Sequence, residues 1–415
     1  MTDMTQDFSA AGRVEAGESP FHISELFYSR TDRRGVIEAG NTVFQRVAGF
    51  AWDEMIKAPH KIIRHPDMPR GVFQLLWDNI LAGQPTGAYV KNRAKSGRYY
   101  WVFALVAPVE GGFISTRLKP SSPIFETVQG LYRDVLAAEA RDKLKPAASA
   151  EIITRRVQAL GFADYGALQS HALATEYEAR AKALGLPLNQ LQRRFVDMAG
   201  AITQVQEETS GLTEAFKSIR TVPMNMRIIA SRLENAGGPI SAISVNYSQM
   251  LEEMSDWVDT FVDGSDCVFA QIRAAILRGQ FLSFSVALED EMLEMFTKAG
   301  GDYPACMDLD QERGMLHTLG KSFCTQMSEA LDQVETQAKR LARSVLDMKR
   351  YVMGLSSTRM MCKIENAALS DQSTALNGIV EQLDGCQKQI EARLARIVEL
   401  NSVIQGNTSM LRSLI

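Results

Sequence analysis

Apolar positions along this chain change their spacing partway through, and the change divides the sequence. Between Phe21 and about Pro120 the apolar runs are short. Ile23 to Tyr28 and Gly35 to Ala39 read as strands around the turn signal Thr31-Asp32-Arg33-Arg34-Gly35. Two short helices are expected around Asn41 to Val47 and Ala51 to Ile56. Val72, Phe73, Leu76, Trp77 and Ile80 then recur at helical spacing and stop at Gly83. Beyond that glycine the pattern becomes that of strands over Gly87 to Arg93, Arg98 to Val109 and Gly112 to Leu118, with turns at Lys95-Ser96-Gly97 and Glu110-Gly111-Gly112.

After Pro120 the pattern is helical. Phe125, Val128, Leu131, Tyr132 and Val135 form a stripe over Ile124 to Leu144, and residues 145 to 188 read as one or two short helices broken at Pro146, Gly161 and Gly185-Leu186-Pro187. From Phe195 to Leu233 apolar residues alternate three and four apart, the heptad rule of helices packed along a seam. A turn at Gly237-Gly238-Pro239 leads into a second run from Ile240 to Phe261. Gly264 to Asp310 looks irregular, with one short amphipathic piece over Phe281 to Phe296. Heptads resume from Leu331 to Leu355, and Leu383, Ile390, Ile397, Ile404 and Leu411 recur every seven residues. A turn near Ala367 to Gln372 is implied. Arg232-Leu233-Glu234-Asn235-Ala236 and Lys363-Ile364-Glu365-Asn366-Ala367 stand in like places before the two turns, as either a divergent repeat or a coincidence of composition.

The expected architecture is α+β. A flexible arm (1–20) precedes a domain of antiparallel sheet with flanking helices (21–120), then a helical connector (121–188). An all-α antiparallel coiled-coil or four-helix bundle (189–415) follows, with hairpins at about 190–278 and 310–415. Net charge is -4, which offers nucleic acid no broad attraction. No window reaches the roughly 20 apolar residues of a membrane span, and a cytoplasmic location is expected. Cys267, Cys306, Cys324, Cys362 and Cys386 have no zinc-type spacing and read as reduced thiols. With no phosphate-binding loop, dinucleotide fingerprint or nucleophile-base pair, a non-enzymatic role is expected.

Chemistry concentrates in Pro59-His60-Lys61-Ile62-Ile63-Arg64-His65-Pro66-Asp67-Met68-Pro69. His60, His65 and Asp67 have no regular spacing to converge them on a metal. Local pairing of Arg64 and Asp67 around the prolines is the alternative reading of the same residues.

Pro59-His60, Arg64 to Pro69, Trp77, Lys91-Asn92-Arg93 and Tyr100-Trp101 occur in that order over about a quarter of the chain. With these motifs, Phe21 to Leu118 resembles the PAS domain of bacterial aerotaxis receptors, and the strand and helix order is that of a PAS fold. The resemblance implies non-covalent FAD, with Asn41, Arg64, His65, Asp67, Trp77 and Asn92 as the matching site positions. A flat apolar ring with a polar edge calls for aliphatic or aromatic walls and a few amides or charges. Thr86 in Gly83-Gln84-Pro85-Thr86-Gly87 stands where the family commonly carries tryptophan. An empty, merely dimerising PAS domain and haem bound through His60 or His65 are the alternatives. The helical region more loosely resembles chemoreceptor signalling hairpins, through Arg227 to Gly237. That implies a homodimer relaying redox or oxygen status to protein partners such as the chemotaxis kinase and its coupling protein. A ligand-free scaffold or adaptor is the rival reading.

Overall fold

The computed structural model describes residues 17–232, 237–262, 264, 267–298, 303–368 and 374–415. By internal packing the chain divides into two units: the first runs to Asn189 and includes Gln280–Gln326, and the second comprises Gln190–Gly279 and Met327–Ile415.

The first unit is built on a five-stranded antiparallel sheet of β1 (Phe27–Asp32), β2 (Ile37–Gly40), β3 (Thr86–Arg93), β4 (Tyr99–Val109) and β5 (Gly112–Leu118), in the order β2-β1-β5-β4-β3. Between β2 and β3 the chain forms α1 (Thr42–Ala48), α2 (Trp52–Met55), a 3-10 turn at His60–Ile63 and α3 (Arg70–Leu81). This is the expected α+β architecture, with the three later strands near their expected limits. The first strand differs. It begins at Phe27 and runs through Thr31 and Asp32, which the residue pattern assigned to a turn. Asp32 closes that turn from the strand end, its Oδ1 accepting from Arg34 N (2.8 Å) and Val36 N (2.9 Å). At the same end β5 approaches so closely that a Cβ on Gly112 would lie 1.8 Å from Thr31 O, which only glycine allows.

Period-two alternation splits the sheet into two buried faces. Ser29, Val90, Asn92, Ala104, Val106, Phe113, Ser115 and Arg117 point to the side of α3, while Tyr28, Arg30, Tyr89 and Thr116 point to the other. Helices α4 (Pro123–Asp142), α5 (Pro146–Ala159) and α6 (Tyr165–Leu184) follow the sheet. Buried Glu176 of α6 accepts from Tyr89 Oη (2.7 Å), Ser121 N (2.6 Å), Ser122 N (2.9 Å) and Ser122 Oγ (2.7 Å), so a carboxylate sits at the N-terminus of α4. Residues 121–188, expected to be a connector, are thereby part of the first unit.

Residues 280–326, expected within the bundle region, also belong to this unit. They come from the second half of α10 (Val268–Thr297) and the start of α11 (Leu309–Ala368). Phe281, Leu282, Phe284, Leu288, Met292 and Phe296 are buried, and Thr116 donates to Glu289 (2.8 Å). Glu312 accepts from Tyr28 Oη (2.5 Å) and Arg30 Nε (2.9 Å). Of Gly264 to Asp310, which the residue pattern left irregular apart from Phe281 to Phe296, residues 268–297 form one continuous 30-residue helix, α10, whose apolar positions keep to no single face along its length.

The second unit is helical: α7 (Gln190–Ile219), α8 (Val222–Arg232), α9 (Gly237–Phe261), the N-terminal part of α10, the later part of α11, and α12 (Thr374–Arg412). Its buried residues are the heptad positions: Phe195, Met198, Ile202, Val205, Leu212 and Ile219 on α7, Leu331 to Leu355 on α11, and Leu383 to Leu411 on α12. Helix α7 packs on α12 and α8 on α9. Trp257 Nε1 on α9 donates to Ser344 Oγ on α11, and Asn401 Nδ2 on α12 donates to Ala338 O (3.0 Å). Helix α9 starts at Gly237, so the glycine-proline expected to form a turn lies in its first turn, where Pro239 is tolerated. Much of the arm, residues 233–236 of the Arg232 segment and residues 369–372 of the expected second turn lie outside the described residues, while Lys363 to Ala367 fall in the last turns of α11.

Candidate functional site

On the α3 side of the sheet is a cavity of about 340 Å³, within the range of small-molecule sites. Its walls are apolar: Phe73, Leu76, Trp77 and Ile80 from α3, Val90 from β3, Val106 from β4 and Phe113 from β5. Trp77 meets Phe113 edge to face with ring centroids 5.5 Å apart, and the helical spacing of α3 aims all four of its lining residues the same way. Between the α3 wall and the sheet there is room for a planar group.

Polar groups gather at one end. Arg117 of β5 is 3% exposed, and its Nη2 donates to Ser29 Oγ (2.6 Å) and His60 Nε2 (2.8 Å). Its Nη1 and the nearby Ser115 Oγ find no partner among the described residues. The Arg117 guanidinium lies over the Phe44 ring at 5.2 Å. Burial lowers the Arg117 pKa to about 10. Burial, then the Arg117 charge, drives His60 down to about 3, so the imidazole is neutral and accepts the bond. Farther out, Arg34, Lys61 and Arg64 also line the cavity, the first two exposed and Arg64 half-buried above the Phe73 ring at 3.8 Å. None of the described carboxylates lines it. A buried cation without a carboxylate costs several kcal/mol, and the arrangement suits a planar ligand with acceptor atoms at the deep end and negative charge at the mouth.

The six residues expected at the site divide evenly. Arg64, Trp77 and Asn92 line the cavity, and a backbone bridge joins Arg64 to Asn92. Asn41 does not. It caps α1, its Oδ1 accepting from Phe44 N (3.1 Å) and Tyr28 N (3.0 Å) and its Nδ2 donating to Leu26 O (2.8 Å). His65 and Asp67 also lie elsewhere. Asp67 Oδ2 takes a bond from Lys91 Nζ (2.8 Å) and His65 Nδ1 accepts from Asp67 N (3.0 Å), so the pair holds the Arg64–Pro69 loop to β3. The bond from Lys91 lowers the Asp67 carboxyl, and burial followed by the Lys91 charge lowers the His65 imidazole. His60 faces Arg117 rather than those two, and the described residues hold no grouping of three metal-ligating side chains. Thr86 is absent from the lining. It donates to Gln169 Oε1 (2.9 Å) and accepts from Asn79 Nδ2 (3.2 Å).

Residue reasoning missed Arg117, Ser115 and Ser29. The signal was available for Arg117: alternation along Gly112 to Leu118 sets it in register with Phe113 and Ser115, a cation on an apolar face.

Residues 39–114 match a family model described as PAS fold. Over 136 residues the chain is 34% identical to the Aerotaxis receptor of Escherichia coli (strain K12), covering 32% of this chain and 27% of that protein. It is 28% identical over 81 residues to the Nitrogen fixation regulatory protein of Klebsiella pneumoniae, covering 20% of this chain and 16% of that one. The chain thus spans about a quarter or less of the length of these relatives. Among solved structures, it is similar to a Light-Oxygen-Voltage domain studied with a flavin analogue (TM-score 0.22, 16% identity, 28% of this chain and 87% of that chain). It is also similar to the Erythrobacter litoralis EL346 blue-light activated histidine kinase (TM-score 0.24, 13% identity, 44% of this chain and 58% of that chain). No helix among the described residues is long and apolar enough to cross a membrane.

Proposed function

From a PAS domain related to that of the aerotaxis receptor, we propose that this chain is a non-catalytic signalling protein whose cavity holds the ring system of a flavin, FAD by analogy with that family, and whose helical unit passes its redox state to partner proteins. One observation carries the reading: an apolar slot between α3 and the sheet ends on a buried guanidinium with an unpartnered donor and opens past Arg34, Lys61 and Arg64. Flavin chemistry supplies reversible electron uptake. The residues here supply aromatic walls (Trp77, Phe113), a deep donor (Arg117), an amide (Asn92) and cations at the mouth for phosphate. Exclusion of water by Leu76, Ile80 and Val106 strengthens each of these polar contacts.

The relay to partners is supported by Leu346, Met353 and Met360, which recur every seven residues on α11 and are 57%, 62% and 51% exposed. Apolar residues at heptad spacing on a solvent face suit a second helix, in another copy or a signalling partner.

The test is an absorption spectrum of the full chain from flavin-replete cells, followed by extraction of the bound compound. A yellow protein releasing FAD is expected, with Trp77→Ala and Asn92→Ala each lowering occupancy at least tenfold. A colourless wild-type protein that also fails to take up added FAD would refute the reading.

A further inference from the structure

A charged strand residue whose own fold leaves it without a counter-ion asks for one. Arg117 is buried, spends Nη2 on two neutral acceptors, Ser29 Oγ and His60 Nε2, and aims toward a cavity that none of the described carboxylates lines. Its Nη1 and Ser115 Oγ have no partner among the described residues. On the sheet's opposite face, by contrast, part-buried Arg30 of β1 is paired with the Glu312 carboxylate.

We infer, resting on the flavin reading above, that Arg117 sets the redox poise of the bound ring, its Nη1 donating to the acceptor edge and its charge favouring the reduced form. Oxidised flavin is neutral at that edge. Uptake of two electrons and one proton, the proton going to ring nitrogen N5, leaves one negative charge along the N1–C2 carbonyl edge, where a dry guanidinium interacts strongly. The exposed cations at the mouth act through water and are screened. Arg117 is a positioning and tuning residue, and it transfers no proton.

The groups facing Arg117 simplify the titration. His60 from the 3-10 turn is held neutral by burial and by Arg117, and Tyr100 from β4 is held protonated by burial. Neither exchanges a proton around neutral pH. Ser29 of β1 and Ser115 of β5 do not ionise. Arg34, Lys61 and Arg64 are the other charged residues lining the cavity.

The experiment is a dithionite titration of the full chain loaded with FAD, against indicator dyes, for wild type and for Arg117→Gln, Arg117→Lys and Arg33→Ala. Arg117→Gln should bind reduced FAD at least tenfold more weakly relative to oxidised FAD, a fall in midpoint potential of about 30 mV or more for a two-electron couple. Arg117→Lys, which keeps the charge, should stay within threefold of wild type, as should Arg33→Ala, which removes an exposed cation outside the cavity lining. An unchanged potential in a flavin-loaded Arg117→Gln protein overturns the assignment and leaves the flavin reading intact. Equal shifts in the Gln and Lys variants also overturn it, because charge would not be the cause. The wild type alone offers a second measurement should Arg117→Gln not fold. The slope of its potential around neutral pH should report one proton per two electrons, and a two-proton slope overturns the proposal. A wild-type chain that takes up no FAD defeats the flavin reading itself, and the Arg117 assignment with it.

Discussion

Replacing Asn41 with alanine separates a structural role from a ligand-binding one at the residue where the two readings diverge most. The side chain is 4% exposed and makes three hydrogen bonds in three directions: to the start of α1, to Tyr28 N in β1, and to Leu26 O just before it. Loss of the cap costs about 1 kcal/mol. The Tyr28 N–H and Leu26 carbonyl are left without this partner in a buried setting, at ~1–3 kcal/mol each. Because the bonds share one side chain the terms do not simply add, and roughly 3–5 kcal/mol is the expected total. Asn41→Asp keeps both acceptor roles and loses only the donor, so it should fall between alanine and wild type. Urea unfolding of the full chain can be followed by tryptophan fluorescence, since Trp52, Trp77 and Trp101 of the four tryptophans belong to the sheet domain. A lower midpoint at unchanged slope is expected, with FAD uptake retained below the transition. If the alanine variant unfolds within about 0.5 kcal/mol of wild type yet takes up no FAD, the structural assignment of Asn41 is wrong and the site extends beyond the cavity described.

Three further outcomes follow from the packing. A Cβ on Gly71 would lie 2.5 Å from backbone atoms of Ser149 and Ala150, where α3 and α5 touch, so Gly71→Ala should destabilise the first unit by ~1–3 kcal/mol in a thermal melt. Burial raises the Glu289 pKa from 4.5 to about 8. The folded protein therefore binds the extra proton between those values, and stability should fall as pH rises through that window, by on the order of 1 kcal/mol per pH unit. Glu289→Gln should flatten that fall, and an identical pH slope in the variant would rule out the assignment. In the helical unit Asn401 donates to Ala338 O while its buried Oδ1 has no partner among the described residues. Asn401→Leu is expected to raise the melting transition by the equivalent of about 1 kcal/mol, and a lowered transition would show that the amide is needed for register.

Local pattern was enough for much of this protein. Period-two runs located β3, β4 and β5 within a residue or so, because a strand buried against helices on both faces is bounded by glycine turns that the sequence displays. Heptad spacing identified the buried rows of α7, α11 and α12, because one seam period serves a helix for its whole length. Of the site positions that the resemblance to the aerotaxis-receptor PAS domain implied, Arg64, Trp77 and Asn92 line one cavity.

What escaped was set by contacts distant in sequence. Asn41, His65 and Asp67 carry the residue types a binding site needs, yet only the fold shows Asn41 used up by Leu26, Tyr28 and Phe44, and Asp67 by Lys91. Helix α10 was legible only over Phe281 to Phe296, because its apolar positions keep to no single face along its length. Arg117 lies 57 residues from His60 and 88 from Ser29, and nothing local to a strand reveals that its counter-charge is missing. Secondary structure follows from short-range sterics and hydrophobic period, which the amino-acid order carries by itself. Which polar groups meet partners and which face an open cavity depends on long-range closure of the chain, and here tertiary structure alone decided it.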